Sequence, residues 1–241
     1  MSAALIIGAG DATGGAIARA FAAEGLTACV NRRPRHADTL EELARSIRDA
    51  GNKAQAFPAD ARDEDAMVAM IDTIERDVGP IEVAVFNIGA NVRFNVTDTT
   101  AQVYRKVWEM AAFAGFLMGR EVAKHMITRQ RGTIIFTGAT ASIRGGVGFS
   151  AFSGAKAALR MLAQSMAREL GPQGIHVAHS IIDGAIDTAF IRDTFPERYA
   201  LKEQDGILNP DHIADAYWML HEQPRDAWTH ELDLRPYMEK F

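Results

Sequence analysis

Residues 5–18, LIIGAGDATGGAIA, constrain the chain more than any other stretch. Leu5, Ile6 and Ile7 read as the end of a buried strand, glycines follow at Gly8, Gly10, Gly14 and Gly15, and an alanine-rich helix opens at Ala16. A strand that stops at glycines and restarts as a helix leaves free backbone N–H groups at the helix N-terminus. The missing side chains let an anion come close. The predicted occupant is a nucleotide phosphate; the bland alternative is an ordinary strand–turn–helix corner. The spacing is Gly8-x-Gly10-x-x-x-Gly14. The commoner dinucleotide pattern G-x-G-x-x-G fails because Thr13 holds its sixth position.

The rest of the chain repeats this alternation. Further strands are predicted at 27–30, 54–57, 81–86, 132–137, 175–182 and 231–234. Helices are predicted at 38–50, 63–78, 100–129, 154–170 and 210–221. Short apolar strands joined by helices imply an α/β fold: one doubly wound parallel sheet of about seven strands with helices on both faces. No linker or repeat divides the 241 residues, so a single domain over 1–241 is expected. Right-handed crossovers put the strand C-termini on one edge, where ligands bind. Residues 187–209 form the loosest segment, read as a substrate lid or a plain surface excursion.

Composition narrows the class. A net charge of −5 argues against nucleic-acid binding. The single cysteine, Cys29, excludes an internal disulfide and is expected to be reduced and buried. No apolar run approaches the ~18 residues of a membrane span. The chain enters its first strand without a charged lead, so no signal peptide is expected and a cytoplasmic location fits. His176 and His179 are three apart on a strand and face opposite sides, so no metal site is expected.

A carboxylate at the end of the second strand holds the ribose hydroxyls of NAD, whereas arginine accommodates the 2′-phosphate of NADP. This chain offers Arg32 and Arg33 there, with no acid before Asp38. Guanidinium pairs with phosphate in a bidentate, charge-assisted way, which favours NADP(H) over NAD(H). Asp60, after the third strand, is placed to accept from the adenine amino group.

With Phe86-Asn87-Ile88-Gly89, Phe152-Ser153-Gly154-Ala155-Lys156 and Asp183-Gly184-Ala185-Ile186-Asp187-Thr188, these residues add up. Over essentially its whole length the chain resembles the short-chain dehydrogenase/reductases, whose patterns at the three places are Asn-Asn-Ala-Gly, Tyr-x-x-x-Lys and Pro-Gly-x-x-x-Thr. The resemblance implies a Rossmann-type fold and a cofactor lined by Gly8, Gly10, Ala12, Gly14, Arg32, Arg33, Asp60, Asn87, Gly89, Lys156, Gly184 and Thr188. It further implies a small-molecule substrate and a homodimer or homotetramer paired through the long helices that include Ala112 and Ala163.

The departures bear on activity. The family's catalytic tyrosine, serine and helix asparagine fall at Phe152, Ala139 and Ala111; only Lys156 remains. Its central loop glycine is Ala12. A phenyl ring carries no exchangeable proton, and general acid catalysis contributes about 10²–10⁴-fold. The candidates to substitute are Thr140, Ser142 and Asp183, with Thr137, Ser153 and Arg144 nearby. Bland roles compete: strand-end hydrogen bonds for the hydroxyls, ribose binding for Lys156. Two functions remain open: an NADP(H)-dependent oxidoreductase with a non-standard site, acting on an activated C=N or C=C bond or on a carbonyl, and an inactive NADP(H)-binding subunit or sensor. A lyase or isomerase would need Asp183 as its base.

Overall fold

The computed structural model describes residues 2–239. Strand β1 (Ala3–Ile7) is fully buried, and its side chains alternate between two cores: Ala3, Leu5 and Ile7 to one face, Ala4 and Ile6 to the other. The other strands are β2 (Thr27–Arg32), β3 (Ala54–Pro58), β4 (Ile81–Phe86), β5 (Gly132–Thr137), β6 (Ile175–Ile182) and β7 (Glu231–Leu234). All pair in parallel, in the order β3-β2-β1-β4-β5-β6-β7.

Helices cover both faces. One face carries α1 (Thr13–Ala23), α2 (Ala37–Asp49) and α9 (Pro210–Glu222). The other carries α3 (Glu64–Thr73), α4 (Ala101–Trp108), α5 (Ala114–Arg129) and α6 (Ser150–Leu170). A turn of π-helix, Glu109–Phe113, joins α4 to α5, and another, Ile74–Val78, extends α3. The winding reverses between β1 and β4. There Asn87 ties the two strand ends together: its N–H donates to the Ile7 carbonyl at 2.8 Å and its Nδ2 to the Gly8 carbonyl at 3.2 Å.

Several expectations need correction. Helix α6 begins at Ser150, four residues before the predicted start, so Gly154 lies inside it; a Cβ there would stand 2.8 Å from the Tyr104 hydroxyl on α4. Strand β2 continues through Arg32, bringing that arginine onto the sheet edge. The segment 187–209 is not irregular: it holds α7 (Ala189–Thr194), α8 (Pro196–Tyr199) and a 3₁₀ turn, Ala200–Gln204. Ala112 and Ala163 are buried within the chain at 5% and 0% exposure. The exposed side of these helices instead presents Trp108, Phe113 and Phe116, stacked in series, with Met161 also exposed. Cys29 is buried, and burial pushes its thiol up to about 12.

Candidate active site

The glycine loop is built for close approach. Gly8 has φ +85°, and a Cβ on it would stand 2.9 Å from the Asn87 carbonyl oxygen. A Cβ on Gly14 would meet the Gly8 carbonyl oxygen at 2.4 Å and Ala9 Cα at 2.8 Å, so only glycine lets α1 pack so tightly against the strand end. Gly10 faces open space, its nearest neighbour being Arg32 Cζ at 4.0 Å. Helix α1 has Ala12 at its N-cap and no side-chain cap, which leaves its first N–H groups for a ligand.

Beside this loop lies a cleft of about 240 Å³ lined by Gly8, Gly10, Arg32, Arg33, Asp60 and Asn87, with Gly89 at its rim. His36 and Arg62, which the sequence reading did not single out, also line it. Arg62 holds Asp60 in a bidentate pair, at 2.9 and 2.6 Å, and that guanidinium keeps the Asp60 carboxyl below its ordinary value. Asp60 thus meets any adenine with both oxygens already bonded; its spacing to Arg62, two residues on, was the readable sign. Partial burial, then the fields of Arg35 and Arg62, lower the Arg33 guanidinium, which stays cationic. Desolvation, then Arg32, Arg35 and Arg33, lower the His36 imidazole. Arg32 reaches Asp11 at 3.5 Å and Thr39 at 3.4 Å. A glycine cradle, an uncapped helix and a basic rim fit a dinucleotide.

The catalytic edge differs. Ala111, Phe152, Val107, Ala141, Ala151 and Ala155 form one apolar cluster, against which Ala139 packs. The three positions at which the expected polar groups are missing therefore touch a common core rather than standing as separate losses. Ala111 lies buried in the π-turn Glu109–Phe113. Lys156 is 2% exposed and donates to the Ile88 carbonyl at 2.9 Å and the Thr137 carbonyl at 2.7 Å. Desolvation lowers its ammonium to about 7.

The alternative proton carriers separate clearly. Ser142 accepts from the Ala139 N–H at 3.0 Å and is buried, the expected bland role of a turn hydroxyl. Thr137 pairs with the buried Tyr217 hydroxyl at 2.8 Å on the α9 side of the sheet. Ser153 Oγ is buried, without a hydrogen-bond partner among the described residues. Thr140 alone meets an acid: its hydroxyl donates to Asp183 Oδ1. Asp183 is fully buried at the end of β6, with its N–H donating to the Leu234 carbonyl at 2.8 Å. Arg144 and Arg235 approach its two oxygens at 3.7 and 3.9 Å. Arg235 also pairs with Asp233 and escaped the sequence reading, because it follows the last strand, far from every motif.

Gly184 has φ +152° and abuts Pro236, while the Thr188 side chain caps α7 by accepting from the Ile191 N–H at 3.1 Å. His176 stacks on Trp228 with centroids 5.0 Å apart. His179, fully buried, lies 3.4 Å from Glu231. Burial, partly offset by Glu231, lowers the His179 imidazole. No group of three or more His, Cys, Asp or Glu converges among the described residues. A second cavity, about 180 Å³, opens at the opposite edge of the sheet, between Glu82, Thr133, His176 and His221.

Fold and cleft define a nucleotide-binding α/β protein of the doubly wound class. The short chain dehydrogenase family matches residues 2–198, and the chain belongs to that family, as an oxidoreductase. It is 29% identical over 225 residues to gluconate 5-dehydrogenase of Gluconobacter oxydans, covering 93% of this chain and 81% of that one. It is 28% identical over 221 residues to cis-4-hydroxycyclohexanecarboxylate dehydrogenase of Sinomonas cyclohexanicum, covering 88% and 86%. A solved short-chain dehydrogenase from Rhodopseudomonas palustris is 46% identical, with a TM-score of 0.84 over 98% of this chain and 99% of that one. The family uses nicotinamide dinucleotides. No helix among the described residues is long and apolar enough to cross a membrane.

Proposed function

We propose that the protein is an NADP(H)-dependent oxidoreductase that moves its proton through Thr140 and Asp183. The observation that carries the cofactor preference is the open basic cleft, in which Arg32 and Arg33 stand at the end of β2 and the lining carboxylate, Asp60, is held by Arg62. Gly8, Gly10, Ala12 and Gly14 would cradle the pyrophosphate, and Asn87 fixes the cradle to β4. Asp60 and Gly89 would border the adenosine half, and Lys156, Gly184 and Thr188 the nicotinamide half.

When bound, the nicotinamide exchanges a hydride with the substrate carbon. The chain's own task is the proton. In the oxidative direction the substrate hydroxyl gives its proton to Thr140 Oγ while Thr140 passes its own to Asp183 Oδ1; in reduction the same proton runs back. A C=N or activated C=C bond accepts hydride on carbon without forming a bare alkoxide, so the apolar wall of Ala111, Ala139 and Phe152 costs such a substrate little. Two of the relatives are named for gluconate and cis-4-hydroxycyclohexanecarboxylate, which supports a small polar substrate here too. Ser142 and Phe152 shape the pocket and transfer no proton. The stacked Trp108–Phe113–Phe116 row, exposed at Trp108 and Phe116, supports pairing of two copies through these helices. The described residues also fit a cytoplasmic protein.

The test combines calorimetry with both reduced nucleotides and NADPH oxidation across carbonyl, iminium and enone panels. NADPH binding tighter than NADH, with turnover reduced about 10²-fold or more in Thr140→Val, is the expected result. Tight NADPH binding with no turnover of any substrate supports the second reading, a cofactor-loaded subunit without chemistry, which the apolar cluster also favours.

A further inference from the structure

Arg144 stands just past the helical turn Thr140–Ser142, where the chain leaves β5 for the helix that carries Phe152 and Lys156. Its guanidinium lies 3.7 Å from Asp183 Oδ1, with the arginine side chain 41% exposed and the carboxylate 1%. That separation is too long for a hydrogen bond, and among the described residues the Arg144 guanidinium makes none. Oδ1 is already taken by the Thr140 hydroxyl. Arg235 approaches the other oxygen and has a second carboxylate, Asp233, to itself. Arg144 has only the distant share of Asp183.

Two guanidiniums therefore converge on one buried carboxylate, and the outer one keeps a solvent-facing edge with its donors unused. A second exposed arginine, Arg93, lies over the Phe149 ring at 5.8 Å and packs beside Gly148, four residues after Arg144. In a chain of net charge −5 this is a local reversal of sign at the mouth of the catalytic edge. The guanidinium fork matches a planar carboxylate bidentately.

We infer that Arg144 binds a carboxylate on the substrate, with Asp183 aiming the guanidinium from behind. The inference rests on the oxidoreductase reading and names the substrate class of its site: small acids bearing a hydroxyl, carbonyl or imine at the reacting carbon. The guanidinium sits between the two carboxylates and screens one from the other. Arg93 adds to the positive field without holding a defined geometry.

The experiment titrates the NADP⁺-loaded protein with gluconate and cyclohexanecarboxylate against gluconamide and cyclohexanecarboxamide. The acids are expected to bind about tenfold tighter or more than the amides, the scale of a charged hydrogen bond. Arg144→Gln should cancel that preference and Arg144→Lys should keep part of it. Raising ionic strength should weaken the acids and leave the amides unchanged, a readout on the unmodified protein. Equal binding of acid and amide, a preference that survives Arg144→Gln, or tighter binding of the matching phosphonates overturns the inference. Nucleotide affinity from the same samples separates the failures. Intact NADP⁺ binding without acid preference removes the Arg144 site alone, whereas absent NADP⁺ binding removes the oxidoreductase reading beneath it.

Discussion

Lys156 Nζ donates to the carbonyl oxygen of Thr137 at 2.7 Å, from a side chain that is 2% exposed. The last residue of β5 and the second turn of α6 are thus joined behind the apolar wall. Burial lowers the lysine to about 7 from its ordinary 10.5. Between those values the unfolded chain binds a proton that the folded chain does not, so this group makes stability rise with pH from about 7 towards 10. The slope approaches about 1.4 kcal/mol per pH unit at most. Urea unfolding at pH 7 and pH 9 should show wild type gaining stability relative to Lys156→Met. Subtracting the variant removes the opposing effect of Cys29, and parallel curves would refute the assignment.

Gly14→Ala places a methyl group 2.4 Å from the Gly8 carbonyl oxygen and 2.8 Å from Ala9 Cα, both backbone atoms that cannot swing aside. The loop must shift or α1 must lift. Thermal unfolding is expected to show a loss of about 1–3 kcal/mol. Calorimetry should show nucleotide binding weakened with it.

Arg33→Gln removes a cation from a rim shared with Arg32, Arg35 and Arg62. NADPH affinity should fall roughly 10–100-fold, the range of charge-assisted hydrogen bonds. NADH affinity should change little, because it brings no 2′-phosphate. Equal losses for both nucleotides would place the phosphate elsewhere.

The double variant Ala139→Ser, Phe152→Tyr reinstates a hydroxyl pair beside Lys156, whose Nζ already lies 6.0 Å from the Phe152 ring centre. Reduction of plain ketones should rise about 10²-fold or more. Both oxygens enter a cluster of alanines, valine and phenyl rings. A stability loss of about 1–3 kcal/mol is therefore expected alongside, readable by urea titration.

Trp108→Glu with Phe116→Glu charges the stacked aromatic row without touching the core, since both side chains are exposed. Sedimentation should show the assembly falling to a smaller species with unchanged far-UV dichroism.

Strands β4, β5, β6 and β7 fall where the sequence predicts them: the first three are mostly apolar runs fenced by glycine, proline or polar residues, and β7 alternates Glu-Leu-Asp-Leu as a half-buried edge strand. What tertiary contact decides was hidden. Glycine within a helix normally costs stability, so Gly154 read as a boundary; it is instead where α6 meets Tyr104. One extra residue in a turn hardly alters a hydrophobic period, so the π-turn at Glu109–Phe113 left no mark. At the site, Thr140 and Asp183 were both legible as polar residues on the right edge. Their pairing spans 43 positions and needed the sheet to bring β5 beside β6. Ala112 and Ala163 mark close packing within the chain, and small residues alone do not say whether a helix also meets a second copy.

The excursion over α7 and α8 leaves and rejoins the body at neighbouring points: the Asp187 N–H donates to the Leu208 carbonyl and the Leu208 N–H to that of Ala185, both at 2.8 Å. Lys202 closes on Asp187 at 2.8 Å. Such a clasp isolates the enclosed residues from the strands beneath. A segment of different length need only match two adjacent ends here, so the excursion can be rebuilt without disturbing the register of the seven-stranded sheet.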